Sequence, residues 1–81
     1  MARKFKTLDV RPMMAKGIEP FSAIRTRIDQ LRPDEGLSIV APFLPSPLIE
    51  KLQSEGFESR VERQSGFWIT HFWRDDPATN G

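Results

Sequence analysis

Glu58-Ser59-Arg60-Val61-Glu62-Arg63-Gln64-Ser65-Gly66-Phe67-Trp68-Ile69-Thr70-His71-Phe72-Trp73 reads as two strands around a tight turn. The first run alternates acidic and basic residues, and the second is aromatic and β-branched. Ser65-Gly66 between them is a two-residue hairpin connection. Upstream, Leu37-Ser38-Ile39-Val40-Ala41 is a largely apolar strand, which places it centrally in a sheet. Pro42 to Pro45 breaks it. Ser46-Pro47 then starts a helix, with a hydroxyl cap and a proline at the first helical position. Leu48, Ile49 and Leu52 form its buried stripe. Gly56 closes it in the left-handed conformation, with Phe57 packing back just after.

The N-terminal half repeats the pattern. Phe5 to Val10 is a strand, ended by Arg11-Pro12, and Met13 to Glu19 is a loop containing Gly17. Pro20 opens a helix whose apolar stripe is Phe21, Ile24, Ile28 and Leu31. Arg32 to Gly36 is a turn. The order is β-α-β-α-β-β. Right-handed crossovers put both helices on one face of a four-stranded sheet. The expected fold is an α/β two-layer sandwich, in the α+β sense of helices segregated to one face, with the other sheet face open. Residues 1–4 are read as a flexible start, 5–74 as a single domain and 75–81 as a disordered tail.

Composition excludes several functions. The chain has 81 residues, no cysteine and one histidine, His71. Disulfides, persulfides and thiolate-bound metals are therefore out. Twelve basic against eleven acidic residues give a net charge of +1, too balanced to favour nucleic acid or an acidic membrane. No apolar run approaches a membrane span. Met1-Ala2-Arg3-Lys4-Phe5 has no signal-peptide apolar core behind it, so the cytoplasm is the expected compartment.

Particular residues carry a family resemblance. They are Leu8-Asp9-Val10-Arg11, Glu19-Pro20-Phe21 with Ile24, Pro45-Ser46-Pro47-Leu48, Glu55-Gly56-Phe57 and Trp68. In these the chain resembles the DUF2249 family and, through it, the TusA/SirA-like sulfur-carrier fold. The resemblance runs from about Leu8 to Arg74. It implies a mixed sheet with the last strand antiparallel and lying between the second and third. Sulfur carriers place a Cys-Pro-x-Pro motif at the first helix. Aligned on Pro20, the cysteine position here is Gly17 and the first proline is Ile18, so persulfide carriage is chemically impossible at that site. Relatives with histidine before the helices would suggest metal or acid–base roles. Lys16 to Pro20 and Ala41 to Pro45 hold no histidine.

Two groups of candidate residues follow. The helix starts near Pro20 and Ser46 should share one sheet edge, where helix N-termini attract anions. Asp9, Arg11, Lys16, Gly17, Pro20 and Ser46 are the candidates there for a small anionic ligand, against the plainer reading of Asp9 and Arg11 as a strand-end ion pair. On the last strand, Phe67, Ile69, His71 and Trp73 fall on the open face and Trp68, Thr70 and Phe72 on the core face. The open-face residues are an interface candidate for a protein partner or homodimer, unless the termini cover them. His71 has no second metal ligand, and a nucleophile near it could come from Ser59, Ser65 or Thr70, but no spacing marks a triad. No catalytic set, metal site or cofactor is expected. The function expected is a non-catalytic ligand- or protein-binding adaptor. The alternatives are an auxiliary factor in sulfur or redox/nitrogen metabolism beside a thiol-bearing partner, and an RNA-binding module.

Overall fold

The computed structural model describes residues 4–74. They form β1 (Lys4–Asp9), α1 (Arg11–Ala15), α2 (Phe21–Asp29), β2 (Glu35–Ala41), α3 (Ser46–Ser54), β3 (Glu58–Gln64) and β4 (Phe67–Trp73). The tail expected over 75–81 and residues 1–3 lie outside the described residues. Lys4, expected in the flexible start, is instead the first residue of β1.

The sheet order is β1-β2-β4-β3. β1 pairs parallel with β2, and β4 pairs antiparallel with both β2 and β3. The last strand thus lies between the second and third, giving the expected mixed four-stranded sheet. The hairpin pairs Gln64 with Phe67 across Ser65-Gly66, and Gly66 supplies the positive φ of +84°. One sheet face meets the helices. Leu37, Ile39 and Ala41 of β2 and Phe72 of β4 pack there with Ile24 and Ile28 of α2, Leu48 and Leu52 of α3, and Phe57. Period-two alternation sends their neighbours to the opposite face.

Four local readings are corrected. Arg11–Ala15 is a short helix rather than a strand end and loop. Pro12 sits in its first turn, where a missing N–H goes unused. The Asp9 carboxylate accepts the Arg11 N–H at 3.0 Å, which starts the turn. Gly17, at φ +76°, stops it: its N–H bonds Met14 O, and the Ile18 N–H bonds Met13 O. This paired closure is a Schellman motif. Gly56 and Phe57 end α3 in the same way, through Gln53 O and Leu52 O.

Ser46 is not a hydroxyl cap. Pro45 occupies the cap position, and no side chain caps α3. Phe21 is 49% exposed rather than part of the buried stripe. It is the first residue of α2, where the stripe has not yet rotated onto the sheet. Trp68 is only half-buried, because it pairs with Ala41 at the sheet end and takes the Arg63 guanidinium over its ring at 5.4 Å. Beside it, Thr70 is fully buried, and its Oγ1 has no hydrogen-bond partner among the described residues.

Candidate functional site: a cup on the open sheet face

Register brings chain-distant residues into rows on the open face. Thr7, Ser38, His71 and Arg60 form one row; Phe5, Gly36, Trp73 and Glu58 form the next. On the other side of the first row run Asp9, Val40, Ile69 and Glu62. Where the rows meet is a cup of about 460 Å³, lined by Phe5, Ser38, Arg60, Glu62, His71 and Trp73.

Gly36 shapes one wall. A Cβ there would lie 2.7 Å from Phe5 Cδ2 and 2.8 Å from the Phe72 carbonyl oxygen. Its absence lets the Phe5 ring lean across β2. Phe5 meets His71 edge-on at 5.6 Å and Trp73 at 6.2 Å between ring centroids. Such T-shaped contacts suit the ring quadrupoles.

The floor is a chain of polar groups. Ser38 Oγ lies 2.7 Å from His71 Nδ1, and His71 Nε2 meets a carboxylate oxygen of Glu62. An ionised carboxylate only accepts, so Nε2–H donates to Glu62. In the neutral ring, Nδ1 is left to accept the Ser38 hydroxyl. The chain links three strands and leaves the second Glu62 carboxylate oxygen without a hydrogen-bond partner among the described residues. At the rim, the exposed Arg60 has no ion-pair or hydrogen-bond partner among the described residues.

Asp9 and Arg11 form the strand-end pair. Arg11 Nε lies 3.0 Å from Oδ1, and Nη2 lies 2.7 Å from Oδ2. The hydrogen-bonded guanidinium holds the Asp9 carboxyl below its ordinary range. Arg11 also covers Phe67, its guanidinium 4.7 Å from the ring centroid. It therefore faces the open sheet side and not the helix starts.

The helix starts do converge, but on an apolar cleft of about 120 Å³. Val10, Met14, Pro20, Phe43, Pro45 and Leu48 are among its walls, and all of its lining residues are apolar. Of the six candidates for an anion site, Pro20 lines this cleft. Asp9, Arg11, Lys16, Gly17 and Ser46 do not. The N-terminus of α2 is already served by Glu19, whose carboxylate accepts the Phe21 and Ser22 N–H groups. The structure thus does not gather these six residues into one site.

Phe67, Ile69, His71 and Trp73 do share the open face, all half-buried. Phe5, Ser38, Arg60 and Glu62 were missed as members of the site. One signal for Ser38 was its polarity inside an otherwise apolar strand. Glu62 and Arg60 share period-two parity, so they fall on one face. Ser59, Ser65 and Thr70 are not the hydroxyl partner of His71; Ser38, 33 residues away, is.

Fold and cup together define a two-layer α/β domain, helix-covered on one sheet side and set with aromatic and charged side chains on the other. The chain belongs to the DUF2249 family, described as an uncharacterized conserved protein, whose family model matches residues 7–74. No curated protein and no solved structure matches it. No described helix is long and apolar enough to cross a membrane.

Proposed function

We propose that this domain is a non-catalytic binding module whose ligand site is the cup on the open sheet face. The observation that carries the reading is the cup itself: aromatic walls, a hydrogen-bonded polar floor and a guanidinium at the rim with no partner among the described residues. Mostly apolar concavities with a few placed polar groups are the usual form of small-ligand sites. The surroundings of Ser38 support binding over turnover. β2 is paired on both sides, so the main-chain N–H groups beside Ser38 serve the ladders and no preorganised donor pair remains for an oxyanion. A thiol-bearing partner in the cytoplasm would supply any sulfur chemistry, since the position resembling the carrier cysteine is Gly17.

Amide and ring-proton NMR spectra during titration with small aromatic acids, amines and amides test this. Shifts should cluster at Ser38, Arg60, His71 and Trp73. Shifts confined to the helix side, or none with any compound, would refute the reading. Phe67 and Ile69 continue the cup's apolar rim and favour a second reading, self-association through this face. Sedimentation showing only monomer up to millimolar concentration would remove it.

A further inference from the structure

Each polar group in the cup constrains what could enter it. One Glu62 oxygen is committed to His71, and in the neutral ring the Ser38 hydroxyl hydrogen is committed to Nδ1. With the ring neutral, the floor therefore has no spare donor to give an anion among the described residues. Ser38 is 5% exposed, so the floor is also the driest part of the cup. An apolar group fits there best, and the Phe5, His71 and Trp73 rings favour a flat aromatic one. The lining residue with a charge to offer is Arg60, exposed on edge strand β3 and directly across from His71. A guanidinium pairs with a carboxylate in a two-point fork.

Resting on the cup as a binding site, we infer that it takes a small planar aromatic carboxylate, ring inward against Phe5 and Trp73, carboxylate outward on Arg60. A phosphate dianion would bring a second charge with no second cation in the lining to meet it.

The test compares 2-naphthoate with its neutral amide and with 1-naphthyl phosphate, by NMR titration of the whole chain and of Arg60→Gln. Arg60 is exposed, so this variant should fold, as its amide spectrum will show. The naphthoate should bind the wild type with shifts at Ser38, His71 and the Trp73 indole. Losing the one charge-assisted contact should weaken it about tenfold, both in Arg60→Gln and in the amide. The phosphate should bind no better than the naphthoate. The inference falls if the amide binds as tightly as the acid, if Arg60→Gln leaves the affinity unchanged, or if the phosphate is preferred. In each of these cases the cup still binds and only the ligand class is wrong. If none of the compounds moves the cup signals, the binding reading falls with it.

Discussion

Gly36→Ala is the sharpest perturbation of the open face. The new methyl would press on the Phe5 ring from one side and on the Phe72 carbonyl oxygen at 2.8 Å from another. The two neighbours respond differently. The Phe5 ring is 42% exposed and can swing outward, giving up its edge contacts to His71 and Trp73. The Phe72 carbonyl belongs to the β2–β4 ladder at the Leu37↔Phe72 and Gly36↔Trp73 steps and cannot move without shifting the strand. Overpacking of this kind costs about 1–3 kcal/mol. The reduced chain entropy of alanine offsets roughly 0.5–1 kcal/mol of that. The net expectation is a loss of about 0.5–2 kcal/mol, which lowers Tm by roughly 4–8 °C per kcal/mol in a domain this size. Thermal unfolding followed by circular dichroism measures it. A cycle with Phe5→Ala separates the two contacts. With the ring gone, Gly36→Ala should cost less, by a coupling of about 0.5 kcal/mol or more. A Gly36→Ala protein as stable as the wild type would refute the packing account. Strict additivity in the cycle would show that Phe5 does not lean over Gly36.

Three further outcomes are expected. Thr70→Val replaces a buried, unmatched hydroxyl with a methyl of similar shape and should raise stability by about 1 kcal/mol in urea unfolding; a loss would mean the hydroxyl is hydrogen-bonded. Asp9→Ala removes the acceptor for the Arg11 N–H and should destabilise by about 1 kcal/mol or less, with faster amide exchange confined to Arg11–Ala15; unchanged exchange there would show that α1 does not depend on this cap. The Glu55 carboxyl is held below its ordinary range, chiefly by its hydrogen bonds to Arg25, then by the Arg25 and Lys51 charges. A lowered folded value contributes stability above the unfolded value and loses it as pH falls through the folded one. Stability should therefore drop below about pH 4, and Glu55→Gln should flatten that drop; an identical acid profile in the variant would sink the assignment.

What was legible in the sequence tracks local pattern, and what was not tracks register. The hairpin is visible in Ser65-Gly66 between two seven-residue runs. The faces of β4 are visible in period two, down to the burial of Thr70 and Phe72 opposite His71. Gly56 and Phe57 announce their helix exit because a Schellman closure is written in adjacent residues. By contrast, α1 hides behind Pro12, which looks like a breaker until Asp9 is seen to cap the turn from outside it. Phe21 has the right spacing for the core, but spacing does not say where a helix begins. Ser38, His71 and Glu62 meet across three strands, and only the pairing of Ser38 with His71 and of Arg60 with His71 fixes that meeting. The candidates near the helix starts part on a similar point. Arg11 opens α1 rather than a loop, and its side chain follows Asp9 and Phe67 to the open face.

The position of β4 bears on how the domain comes to exist at all. It is the last strand among the described residues and an inner strand of the sheet, pairing with β2 on one side and β3 on the other. Until Phe67 to Trp73 have left the ribosome, β3 has no neighbour and the core lacks Phe72. Folding during synthesis must therefore wait for nearly the whole domain, with β2 presenting an unsatisfied edge in the meantime. The same geometry makes β4 the strand that ties β3 to the sheet: a chain ending at Gln64 would keep the β1–β2 pair and leave β3 unpaired.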